Sequence, residues 1–133
     1  MAMKNPYTAY HQNSVNTASP GELTLMLYNG CLKFIKLAAQ SIQEGAIDQK
    51  NENLVKAQNI IQELQVTLNR DVTISEQFAL IYDYIYRRLV EANVKNDLSI
   101  LLEVEGYIIE FRDTWKQAIQ IDRQERQKSG GFK

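Results

Sequence analysis

A single cysteine, a single histidine and two prolines are what this chain has of the residues that most often bring reactive chemistry or break helices. One thiol, Cys31, can neither close an intramolecular disulfide nor assemble a thiolate metal cluster, so a reducing compartment fits best. The one histidine, His11, lies in a polar stretch near the start. Di-iron sites in helical bundles need Glu-x-x-His pairs on facing helices, and a single histidine in a polar arm cannot supply them, so metal catalysis is not expected. Both prolines, Pro6 and Pro20, precede the helical pattern, and the glycines Gly21, Gly30, Gly45 and Gly106 are too scattered for a phosphate-binding loop or a dinucleotide fingerprint. Net charge is scarce too. Fifteen basic against 16 acidic residues leave −1, no field to hold a polyanion, so nucleic acid is not an expected partner. No apolar run approaches the ~20 residues that span a bilayer. Met1-Ala2-Met3-Lys4-Asn5-Pro6 also lacks the hydrophobic region of a signal peptide. The expectation is a cytoplasmic chain without direct membrane insertion.

What is present is helical periodicity and grease. With 44% hydrophobic residues over 133 positions, one domain with a proper core is expected. Residues 1–19 are polar without a sustained period and read as an extended arm, with Tyr7, Tyr10 and Val15 as apolar anchors. Ser19-Pro20-Gly21-Glu22 supplies an N-cap, a first-turn proline and a glutamate that reaches back to the cap. The helix that follows runs to Glu44 and stops at Gly45. Only a narrow strip of it is polar (Glu22, Asn29, Lys33, Lys36, Gln40, Gln43), so it must pack against more than one neighbour.

A second helix, from about Asp48–Asn51 to Asn69, carries the seam Leu54, Ala57, Ile61, Leu64 and Leu68. Ser75 is the expected cap of a third, whose face is Phe78, Ile81, Tyr82, Ile85, Leu89 and Ala92, and Asp97 that of a fourth, with Leu101, Val104, Ile108, Phe111, Trp115 and Ala118. The predicted fold is all-α: an antiparallel four-helix bundle over residues 20–122, an N-terminal arm over 1–19, and a fraying tail over 123–133.

No catalytic constellation emerges. Cys31 lies on an apolar stripe without a nearby base, and Glu105, Arg112 and the Arg87-Arg88 pair sit where structural ion pairs usually do. The informative excess is apolar surface that a monomeric bundle does not need. Val55, Ile60, Val66, Leu80, Tyr84, Tyr86, Val90 and Ile109 form the candidate docking set, suited to amphipathic helices of a partner. A homodimer interface, in a structural scaffold without cargo, would use the same features. No cofactor or metal is implied.

The arm and first helix, NPYTAYHQNSVNTASPGELTLMLYNGCLKFI, are similar to those of the FliS family. KAQNIIQELQVTLN in the second helix, YDYIYRRLVEANVKND across the third, and Trp115 in the fourth extend the resemblance over the chain. The resemblance implies a four-helix bundle that is not an enzyme: an export chaperone for type III secretion in flagellum biogenesis. Such a protein binds the disordered C-terminal segment of flagellin, prevents premature polymerisation, and presents its cargo to the cytoplasmic domain of the export-gate protein FlhA. It also implies that the arm, through Tyr7 and Tyr10, takes part in that presentation.

Overall fold

A computed structural model describes residues 20–69 and 75–130, which form four α-helices and, among the described residues, no strand. These are α1 (Pro20–Glu44), α2 (Ile47–Thr67), α3 (Ser75–Lys95) and α4 (Leu98–Gly130). Each packs against two others in the cyclic order α1–α2–α3–α4, and the diagonal pairs make no backbone approach. Lys50 at the start of α2 meets Asn93 near the end of α3, and Tyr28 of α1 stacks on Phe111 of α4. Neighbours therefore run antiparallel, as the short connections require.

The turns follow from local chemistry. Gly45 adopts φ +74°, its amide donates to Ile42 O, and Ala46 N donates to Ser41 O at 2.8 Å. That pair of reversed bonds ends α1 at the one residue type with no Cβ penalty in this conformation. Asn96 repeats the device at φ 53°, with Asp97 N reaching Ala92 O. Asp97 Oδ1 then accepts hydrogen bonds from Ser99 N at 2.9 Å and Ile100 N at 3.3 Å, so it caps α4 as the sequence predicts.

Two boundaries differ from expectation. Ser75 does not act as a cap: it is the first residue of α3, buried, and its hydroxyl has no hydrogen-bond partner. Helix α4 extends through Arg123 to Gly130, past the expected end of the bundle at residue 122. Gln124, Glu125 and Gln127 are good helix formers, and Arg123 pairs with Glu22 of α1, which ties down the turn before them.

The core runs the length of the bundle and includes Leu27, Ile35, Leu54, Ile61, Leu64, Ile85, Leu89, Leu101, Val104 and Ile108. Each such aliphatic residue contributes about 1.5–3 kcal/mol through removal from water. Ile60, read from sequence as a surface candidate, belongs to this core at 0% exposure. Lys56, one turn before it, lies over the Phe34 ring of α1, so that flank of α2 faces α1 and is covered. α2 thus buries a wider face than one seam, because α1 is apolar around most of its circumference.

At one end the packing becomes aromatic. Phe111 meets Tyr28, Phe78 and Tyr82 with ring centroids 5.5–5.8 Å apart. The hydroxyls of Tyr28 and Tyr82 bond each other at 2.6 Å across the bundle axis, linking the diagonal helices α1 and α3. Tyr28→Phe would leave the Tyr82 hydroxyl unpaired and should cost about 1–3 kcal/mol in urea unfolding. Replacing both tyrosines should be milder than the sum of the single changes, and strict additivity would show that the bond contributes nothing.

Candidate functional site

The end of the bundle where α1 and α3 begin and α2 finishes is not filled by the described residues. A cavity of about 400 Å³ lies there, within the range that accepts a ligand or an inserted side chain. Its walls come from all four helices. Leu64 belongs to α2 and Leu68 caps it, Phe78 and Tyr82 belong to α3, Trp115 to α4, and Gly21 lies in the first turn of α1. The space exists because large aromatics on α3 and α4 face a first turn of α1 built from small residues. At Gly21 a Cβ would stand 3.4 Å from Ile119, and the indole N–H of Trp115 donates to Gly21 O at 2.8 Å. That bond fixes the Trp115 ring as a wall.

The lining is mostly apolar, with Thr24, Thr67, Asn69 and Ser75 as its polar members. The Ser75 Oγ itself is shut off from solvent and makes no hydrogen bond, and an unpaired buried hydroxyl typically costs about 1–3 kcal/mol. The only titratable side chain among the described lining residues is Tyr82, and burial raises its pKa above the usual tyrosine value. Such walls can bind but offer no acid, base or nucleophile for ordinary pH.

The sequence-derived candidates distribute over the surface as follows. Val66 is 81% and Leu80 71% exposed, and both sit at the level of the cavity, on the last turns of α2 and first turns of α3. Val55 and Val90 are exposed farther along. Tyr86 is half-buried and its hydroxyl accepts from Gln62 at 3.4 Å, which places it at the α2–α3 seam. Val90 lies one turn beyond Tyr86, and Val55 two turns before Gln62, so the same seam gathers three of the candidates.

Tyr84 belongs elsewhere. Its hydroxyl donates to Glu103 at 2.8 Å and its ring meets Tyr107 edge-on at the α3–α4 seam. The bond to Glu103 raises the Tyr84 pKa, while the bond from Arg88 holds the Glu103 carboxyl below its usual range. Ile109 is half-buried against the core on α4. The candidates therefore do not form one patch. The anchors Tyr7, Tyr10 and Val15, with His11, lie outside the described residues.

Sequence reasoning missed the cavity. It assigned Phe78 and Trp115 to the core stripe, and Gly21 and Thr24 opposite them were the available signal: small residues facing large ones at a bundle end leave a void. It also missed Val94 and Leu102, which are exposed on α3 and α4. The charged residues it flagged are structural. Arg87 pairs with Asp83, Arg88 with Glu91 and Glu103, and Arg112 with Asp113. Among the described residues no three His, Cys, Asp or Glu side chains gather as a metal site, and no helix is long and apolar enough to cross a membrane.

A four-helix bundle with a mostly apolar end cavity and exposed aliphatic residues offers surfaces suited to binding. The family model described as "Flagellar protein FliS" matches residues 3–122. The chain is 67% identical to a Bacillus subtilis protein named "Flagellar secretion chaperone FliS", over 99% of both chains. It is 35% identical to the Salmonella typhimurium protein of the same name, over 80% of this chain and 81% of that one. The Escherichia coli protein so named is 32% identical, over 81% and 82%. The chain belongs to the FliS family of flagellar secretion chaperones.

Burial pushes the Cys31 thiol from 9.0 up to about 12. The folded state therefore holds its proton where the unfolded chain has lost it, so stability should be complete below pH 9.0 and fall as pH rises toward about 12. Tyr28 and Tyr82, also raised by burial, extend the loss from pH 10.0 upward. In urea unfolding, Cys31→Ala should remove the part of the slope that starts near pH 9.0 and leave the later part; an unchanged profile would contradict the assignment.

Proposed function

We propose that this protein binds the disordered C-terminal segment of flagellin, keeps it from premature polymerisation, and delivers it to the cytoplasmic domain of the export-gate protein FlhA. The observation that carries the reading is the end cavity, mostly apolar and aromatic-walled, with Val66 and Leu80 exposed at the same level. Kinship with proteins named flagellar secretion chaperones supplies the cargo class. The protein acts in the cytoplasm, before its cargo enters the export path.

Segments that assemble into filaments as amphipathic helices expose apolar faces until they do so. A chaperone that lends a complementary surface lets those helices form early and covers them. In this reading an apolar cargo side chain fills the end cavity, while cargo helices continue over the α2–α3 seam at Val55, Tyr86 and Val90. Tyr84 and Ile109 contribute at the other seams. Ordering the segment costs several kcal/mol, which weakens a long interface enough for release at the gate. Tyr7, Tyr10 and Val15 in the arm serve the gate rather than the cargo.

Titration with a flagellin C-terminal peptide should give one-to-one binding, a gain in helicity, and altered emission from Trp115, the only tryptophan. Neither heat nor helicity would end the reading, and a dimer that sediments identically with and without peptide would favour the cargo-free homo-oligomeric scaffold. Leu80→Asp and Val66→Asp alter exposed residues, so the fold should persist while binding weakens about tenfold or more, on the scale of one aliphatic contact of about 1.5–3 kcal/mol. Tyr10→Ala should weaken gate binding of the loaded complex more than cargo binding; equal losses would refute that separation.

A further inference from the structure

Between Glu22 and Glu44 the only charged residues of α1 are Lys33 and Lys36. Both line an open depression of about 450 Å³ on its outer face, which Arg112 of α4 closes on one side. Leu37 is the exposed apolar residue of the lining, with Leu32 buried beneath it; Gln40 donates to Glu44 at 3.3 Å, and among the described lining residues there is no carboxylate. The depression shares no lining residue with the end cavity.

Charge pairing over the rest of the surface makes this face distinctive. Lys56, Arg87, Arg88, Lys95 and Arg123 each reach a carboxylate, and buried Lys50 donates to Asn93. Among the described residues, the lysines on the surface without a carboxylate in ion-pair range are Lys33, Lys36 and Lys116, and Lys116 lies one turn beyond Arg112 on α4. Arg112 gives its Nε–H to Asp113 at 3.1 Å and keeps its other guanidinium donors. Glu105, half-buried two turns before Arg112, is the carboxylate that shares this flank of α4. Among the described residues, two of the three surface lysines without a carboxylate, Lys33 and Lys36, thus line one depression, Lys33 with its Nζ 5.7 Å from the Phe34 ring centroid.

We infer that this depression docks an acidic amphipathic helix of a partner protein, its apolar stripe against Leu37 and its flanking carboxylates against Lys33, Lys36 and Arg112. Nucleic acid would gain nothing from the exposed leucine, and a flat anionic bilayer would engage the rim without filling the concavity. Opposite charge at such a rim sets partner choice and encounter rate more than gross affinity. The surface is independent of the cargo reading, because its residues and its chemistry differ from those of the end cavity.

The test uses the full chain, with and without flagellin C-terminal peptide, and a designed helical peptide bearing a leucine stripe flanked by glutamates. A glutamine-flanked counterpart and phosphatidylglycerol vesicles serve as the other arms. The glutamate peptide should bind about tenfold more tightly than the glutamine peptide, the preference should fade at high salt, and amide shifts should cluster from Leu32 to Gln40 and at Arg112. The variant Lys33→Glu with Lys36→Glu, or its Lys→Gln counterpart, should abolish the preference with an unchanged melting temperature. Equal binding of the two peptides, shifts centred on Phe78 and Trp115, retention of the preference in both variants, or lysine-dependent capture by vesicles in place of peptide would each overturn the inference.

Discussion

The Tyr28 and Tyr82 hydroxyls meet in the middle of a bundle whose diagonal helices otherwise keep apart, and the layer around them sets how the cavity end is built. Aliphatic side chains can slide past one another at little cost, whereas two buried hydroxyls must face each other or each lose a hydrogen bond. Their 2.6 Å contact fixes the height of α1 relative to α3. Phe111 then packs on both tyrosines and on Phe78, so the position of α4 follows from the same layer. A polar pair in an apolar core specifies one arrangement of four similar helices more strictly than leucines would.

That layer also explains why the cavity survives. Beyond it toward the start of α1 the chain provides Thr24 and Gly21 where another layer would need bulk, while Trp115 is held outward by its bond to Gly21 O. The walls are braced from behind by the aromatic cluster, so they have little freedom to collapse inward. A void of this kind normally lowers stability in proportion to its size. Its persistence beside the unpaired Ser75 hydroxyl is understandable if a binding partner supplies the missing atoms.

Most of the fold could be read from periodicity, because a four-helix bundle is a local structure written in the spacing of leucines and isoleucines. Pro20 and Gly45 bounded α1 and Asp97 opened α4, each by chemistry confined to a few neighbours. What failed were features that depend on a second helix. Ile60 looked like surplus on the wheel of α2 and is covered by α1; Ser75 looked like a cap and its hydroxyl is buried without a partner. Val55, Val66, Leu80 and Val90 were read as exposed and are. The cavity joins residues of four helices and has no signature in any one of them.

The distribution of apolar surface bears on how tightly such a protein should hold anything. A single deep groove would concentrate affinity and slow release, whereas an end cavity and separate exposed residues along two seams let a helical segment attach in steps. Each step contributes little alone, and the whole depends on keeping the segment ordered. Detachment can then begin at any one contact and propagate as the segment loses its helices. A surface broken into weak pieces suits a carrier that must exclude water from its cargo for a time and afterwards give it up intact.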